Sequence, residues 1–209
     1  MVIIYIMAMK LNFSNMLQFF STISPILLSF FLVMISLFNT DIKGLVYLGG
    51  ILIASLINVF VMNSLNFESN KSTPPDCKLI EFPLNLQEYN TPAFNTMFIS
   101  FTLMYLYLPM QYISTINYPV LIFITGLLVL DATTKITKGC TDFTGIVLGF
   151  IVGSLLGILY FVSLWKTGHD DLLFFNAEPS NNVVCSRPKK QSFKCKIFRN
   201  GELVGQSTQ

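Results

Sequence analysis

Charged side chains are scarce in this sequence, and their scarcity excludes an ordinary soluble protein. Asp, Glu, Lys and Arg make up 11% of the 209 residues, whereas a soluble domain carries about 25%. Hydrophobic residues make up 53%, and the mean hydropathy is +0.62. They fall in charge-free blocks of 17 or more residues, long enough to cross the roughly 30 Å hydrocarbon core of a bilayer. The sequence therefore predicts a multi-pass integral membrane protein whose first partner is the lipid bilayer.

Histidine and cysteine are also rare, which argues against a metal centre. A zinc site needs about four ligands close together, and the single histidine, His169, stands apart from all four cysteines. His169 precedes Asp170 and Asp171, and a solvated turn is favoured there over a divalent-cation site. No P-loop, dinucleotide fingerprint, zinc-protease helix or nucleophile elbow occurs. We expect no metal and no cofactor.

The apolar blocks predict an all-α bundle of five spans. An interfacial segment, residues 1–20, precedes a transmembrane bundle over residues 21–166, and a soluble basic tail over residues 167–209 follows it. The predicted spans are residues 17–38, 45–62, 93–108, 118–130 and 143–165.

Prolines and one carboxylate set the predicted span ends. Pro25 falls in the first turns of span 1, where proline is least damaging. Pro109 and Pro119 bracket a predicted turn at the membrane interface. Asp131 closes span 4. We expect its carboxylate at the water interface, and the alternative is an intramembrane ligand for an ion or proton.

Span 5 carries a regular stripe of glycines. Their spacing of four residues builds a flat ridge that another helix can approach closely. Packing against a span of the same chain is favoured over a dimer seam. The residues of this ridge are Gly145, Gly149, Gly153 and Gly157.

The tail has a different character from the bundle. Seven of the thirteen Lys and Arg lie from Lys166 onward. Asn200 and Gly201 predict a type I′ turn between two short strands, and hence a β-hairpin. The basic charge indicates a protein partner or anionic lipid for the tail, without specific recognition of nucleic acid.

Five spans place the two chain termini on opposite sides of the membrane. Cys77 and Cys140 then share one face, and Cys185 and Cys195 share the other, so each pair is a possible disulfide. Lysines close to span ends are more numerous on the first face, which predicts that this face is cytoplasmic. They are Lys10, Lys71, Lys78, Lys135 and Lys138.

Two stretches on that first face carry a resemblance to a known family. Residues 91–96 read T-P-A-F-N-T, and residues 134–145 read T-K-x5-T-x3-G, followed by L-G-x-x-x-G over residues 148–153. The pattern resembles the type 2 phosphatidic acid phosphatase superfamily, a six-helix membrane fold with the motifs P-S-[GS]-H and S-R-x5-H-x3-D. The resemblance covers roughly residues 89–165.

The resemblance preserves residues that shape the family's site and lacks those that react. In the family, the second His attacks phosphorus, the Asp orients it and the first His protonates the leaving alcohol. This chain has Thr141, Gly145 and Asn95 at those positions, beside the motif proline Pro92. Lys135 stands at the motif arginine and, with Lys138, is a candidate phosphate ligand. The family's K-x6-R-P motif is absent.

These observations favour a non-catalytic membrane scaffold, a degenerate relative of the lipid phosphatases. The tail resembles those of membrane proteins of large double-stranded DNA viruses, which implies a host or virion internal membrane. One alternative is a phosphatase acting on a lipid phosphate or polyprenyl diphosphate, with Lys135, Lys138 and Asp142 in an unrecognised arrangement. Another is a small transporter or channel that uses Asp131.

Overall fold

Five α-helices form the body of the protein. The structure is a computed structural model that describes residues 13–65, 77, 91–175, 194–199 and 202–208, and predictions for the other residues lie outside it. The helices are α1 (Phe13–Phe38), α2 (Lys43–Leu65), α3 (Phe94–Tyr112), α4 (Tyr118–Thr137) and α5 (Phe143–Lys166).

Four of these helices, α1, α2, α4 and α5, are long and apolar enough to span a membrane. Their outward faces expose large apolar side chains, among them Phe31, Phe60 and Leu159, as lipid-facing surfaces do. The protein therefore has the character of a multi-pass membrane protein. The count of five spans stays a prediction, because it depends on α3.

Helix α3 occupies the centre of the bundle. It packs against each of the other four helices, most extensively against α5. Eleven of its nineteen residues are buried, including the polar Thr96, Ser100 and Thr102. Because α3 contacts protein on most of its surface, its side chains need not be as apolar as those of the lipid-facing helices.

Side-chain and backbone contacts define two ends of the bundle. The Cys77 end holds the starts of α1, α3 and α5 and the end of α4, together with Cys77 itself. At the Trp165 end, the Tyr160 hydroxyl of α5 donates to the Val46 carbonyl of α2 at 2.7 Å, and the rings of Tyr112 and Trp165 lie 3.9 Å apart. Helices α3 and α5 thus run in the same direction.

Two predicted span ends were wrong. Helix α4 continues to Thr137, so Asp131 does not close it but lies inside the helix, with 0% of its surface exposed. Pro109 lies inside α3 and is buried; it does not begin the turn. The neighbouring helices enclose both residues, and such packing lets a bundle accommodate a proline that breaks the local bonding pattern.

Helix α1 also begins earlier than predicted. It starts at Phe13, so residues 13–20 belong to the helix, and Pro25 lies near its middle. Proline has no N–H to donate to the carbonyl four residues earlier, which here belongs to Ser21. The Ser24 hydroxyl donates to that carbonyl at 2.8 Å. A side chain thus replaces the missing backbone donor.

The boundary after the bundle also differs from the prediction. The chain divides into Met1–Glu178 and Pro179–Gln209. Residues after α5 form a short 3-10 helix, Asp170–Leu172, and then bury Leu173 and Phe174 in the core of the first unit. The first residues of the predicted tail therefore belong to the bundle.

The second unit contains two antiparallel strands, β1 (Lys194–Arg199) and β2 (Glu202–Thr208). Arg199 pairs with Glu202, and the register shifts between Ile197 and Phe198. Asn200 and Gly201 lie outside the described residues. The type I′ hairpin therefore stays a prediction.

Candidate functional site

A buried carboxylate joins three helices near the Cys77 end. Asp131 of α4 accepts a hydrogen bond from the Ser21 hydroxyl of α1 at 2.9 Å and from the Thr96 hydroxyl of α3 at 2.7 Å. The ammonium of Lys135, one turn later in α4, lies 3.0 Å from the same carboxylate. We call Asp131, Lys135, Ser21, Thr96 and Thr134 the Asp131 network.

Helix geometry explains how α4 supplies three of these residues. Positions three and four apart share one face of a helix, so Thr134 and Lys135 stand over Asp131. The Thr134 hydroxyl lies 3.0 Å from the Ser21 hydroxyl and 2.7 Å from the Leu130 carbonyl. At 1.5 Å rise per residue, about 9 Å of helix separates Asp131 from the end of α4 at Thr137.

The network also anchors α4 to the bundle. Only Ile124 and Asp131 are fully buried in this helix, whereas α3 buries eleven residues. Apolar packing between helices gains little in lipid, because lipid tails are as apolar as the side chains. Bonds from Asp131 to α1 and α3 therefore add a polar attachment to the packing of partly buried Val120, Leu121, Leu127 and Leu128.

Both candidate phosphate ligands have partners within the protein. Lys135 pairs with Asp131 and keeps 17% of its side-chain surface exposed. The Lys138 ammonium lies 3.0 Å from the Asn15 side-chain oxygen of α1. Both lysines bind protein groups, and the charge of Lys135 is already offset by Asp131.

The two stretches that carry the phosphatase resemblance lie next to each other. The Ala93 N–H, at the start of α3, donates to the Gly145 carbonyl, at the start of α5, at 2.9 Å. Pro92 is buried beside this contact, and Asn95 and Thr141 are half-buried. Neither Asn95 nor Thr141 is a carboxylate or imidazole, so neither can act as the base or the nucleophile that the family's histidines supply.

The glycines of α5 lie at the contact with α3. A methyl group on Gly149 would stand 2.7 Å from the Ala93 carbonyl oxygen, and one on Gly157 would stand 2.7 Å from the Phe101 carbonyl oxygen. One on Gly153 would overlap the Met97 carbonyl. The glycine ridge therefore packs against a helix of the same chain.

The remaining predicted residues lie apart from the network or outside the described residues. His169 follows α5 at the Trp165 end, with its N–H donating to the Leu164 carbonyl. Cys77 and Cys140 form a disulfide at the Cys77 end. Cys185 lies outside the described residues, so its pairing with Cys195 stays a prediction. Among the described residues, no group of three or more His, Cys, Asp and Glu could hold a metal ion.

Sequence reasoning missed the hydroxyl partners of Asp131. One local signal was present, since Asp131 and Lys135 stand four residues apart in an apolar context. That spacing on one helix indicates an ion pair, and an ion pair is the usual way to place a carboxylate inside a membrane. Ser21 and Thr96 carry no such signal, because they are 110 and 35 residues from Asp131.

Comparison of the chain with protein-family models, with curated proteins and with solved structures finds no match in any of the three.

Proposed function

We propose that this protein is a non-catalytic, multi-pass membrane scaffold that holds a basic tail at a membrane surface. The membrane is that of a host cell or a virion if the tail's resemblance to viral membrane proteins holds. In this proposal α3 crosses the bilayer at the centre of the other four helices, and the Asp131 network stabilises the bundle.

The pairing of Lys135 with Asp131 carries the proposal. The Asp131 carboxylate, with 0% exposure, already offsets the positive charge of Lys135 and accepts one of its three N–H donors. A phosphate that approaches Lys135 therefore meets a carboxylate 3.0 Å from the ammonium, and the repulsion between the two anions lowers the affinity of this lysine for phosphate.

The position of the histidine adds support. Phosphoryl transfer by a covalent route needs a nucleophile with an adjacent base. The chain's one imidazole, on His169, follows α5 at the Trp165 end, whereas Lys135 and Thr141 lie toward the Cys77 end. The phosphatase alternative therefore depends on Lys135, Lys138 and Asp142 alone.

An activity assay tests the proposal. We expect purified full-length protein to release no phosphate from phosphatidic acid or from an isoprenoid diphosphate in mixed micelles, beside an active lipid phosphatase as positive control. Phosphate release that disappears in a Lys135→Met variant shown to be folded by its unfolding curve, and that persists in Lys166→Met, would overturn the scaffold. Lys166 is the matched control, because it is exposed at the end of α5, at the Trp165 end.

A second candidate function is conduction of protons or monovalent cations. The complete burial of Asp131 favours it, since ionisable groups inside membrane bundles commonly line ion and proton pathways. This candidate predicts a proton or potassium flux into proteoliposomes that Asp131→Asn abolishes and Asp142→Asn leaves unchanged. Equal leak from wild-type and Asp131→Asn proteoliposomes removes it.

A further inference from the structure

We infer that the Cys77 end of the bundle faces an oxidising, non-cytosolic compartment, and that the basic tail therefore lies on the cytosolic side. This orientation is the reverse of the one that the lysine count predicts. It is independent of the proposed function, because a scaffold, a phosphatase and a transporter can each have either orientation.

The disulfide is the first observation. Cys77 and Cys140 lie 63 residues apart in sequence, and their Cα atoms stand 5.5 Å apart across a formed bond. Cys140 belongs to the α4–α5 turn, where its N–H donates to the Lys135 carbonyl at 2.9 Å. Structural disulfides persist in oxidising compartments and are rare where glutathione and thioredoxin keep thiols reduced.

The second observation concerns the lysines at the Cys77 end of the bundle. Lysines near span ends favour the cytosolic side, and acidic residues contribute little to this bias. Lys135 was counted for the Cys77 end, but it forms an ion pair with Asp131. Lys138, also counted there, bonds to Asn15. Two of the five lysines at this end are therefore bound to side chains of the bundle.

The part of the chain that follows α5 is rich in basic residues. The chain leaves α5 at Lys166, and no apolar run of span length follows. Residues 187–199 then carry six Lys and Arg and no Asp or Glu. This segment lies more than the roughly 15 to 20 residues from a span end over which the lysine bias acts. Near span ends the Trp165 end has Lys43 and Lys166, fewer than the five lysines of the Cys77 end. The lysine bias therefore opposes the inferred orientation, and the disulfide carries the inference.

A consequence concerns the other two cysteines. With the tail in the reducing cytosol, Cys185 and Cys195 are free thiols, whereas Cys77 and Cys140 are oxidised and shielded by the membrane. The four cysteines of the chain thus report on both sides of the membrane without added probes. The tail also meets the anionic cytosolic leaflet, which attracts basic segments.

Protease protection and thiol labelling test the orientation. The full chain with a C-terminal epitope tag is expressed in a eukaryotic host, and sealed endoplasmic reticulum membranes are prepared with their cytosolic face outward. We expect added protease to remove the tag. We expect a membrane-impermeant maleimide to leave the Cys185→Ser/Cys195→Ser variant unlabelled, and to label two cysteines of that variant after reduction in detergent.

Either of two results would overturn the inference. One is a tag that is cleaved only after the membrane is dissolved. The other is labelling of Cys185→Ser/Cys195→Ser in sealed membranes without reductant, which would show reduced thiols at a cytosolic Cys77 end. This variant keeps Cys77 and Cys140, so the disulfide of the bundle is unaltered.

Discussion

Replacing Gly153 by alanine is expected to lower the stability of the bundle by about 3 kcal/mol or more, the upper end of the cost of overpacking a core. The added methyl group would overlap the Met97 carbonyl and the Ser100 hydroxyl of α3. A flexible side chain can move away from such a contact. The backbone of α3 cannot, because α3 is enclosed by all four other helices. The whole α3–α5 contact must therefore open.

The matched control is Gly126→Ala in α4. Gly126 has nothing within 4 Å of an added methyl group, so this variant changes the helix propensity alone, and alanine is favoured over glycine by about 1 kcal/mol. Denaturant unfolding of the purified variants in detergent gives the comparison. Equal stability of Gly153→Ala and Gly126→Ala would contradict close packing of α3 against α5.

Helix positions and the glycine ridge were accessible from the sequence because their signals are local. Apolar run length indicates where a helix can cross a membrane, and a four-residue glycine spacing indicates a face for close packing. The sequence does not name the helix that the ridge contacts. That partner, α3, is identified only by the three-dimensional arrangement, in which Ala93, Met97 and Phe101 oppose successive glycines.

The burial of Asp131 could not be predicted, because it depends on residues far away in the chain. A carboxylate at the end of an apolar run indicates an interface when its partners are unknown. Here Lys135 compensates its charge, and hydroxyls of α1 and α3 complete its hydrogen bonds. The charge is therefore compatible with the interior of the bundle, and α4 extends past it. Lys135 became a candidate phosphate ligand for a separate reason, its position at the motif arginine of the phosphatase resemblance.

The other large effect is expected from Lys135→Met. This change leaves the Asp131 carboxylate buried without its counter-ion, so we expect a loss of stability of about 3 to 5 kcal/mol. Asp131→Leu should cost less. Lys135 is 17% exposed, and its flexible stem can carry the ammonium to water. Asp142→Asn is the control, because Asp142 is exposed and its side chain makes no capping bond to α5.

The double variant Asp131→Leu/Lys135→Met completes a thermodynamic cycle measured by the same denaturant unfolding. Replacing both partners of a buried pair by apolar residues is often neutral or stabilising, so we expect the double variant to be more stable than Lys135→Met alone. Additive losses would show that the two side chains do not interact. Recovered stability would mean that the bundle does not need these charges to fold. In that case the flux assay on Asp131→Asn decides between the scaffold and conduction, because the network would have a role other than stability.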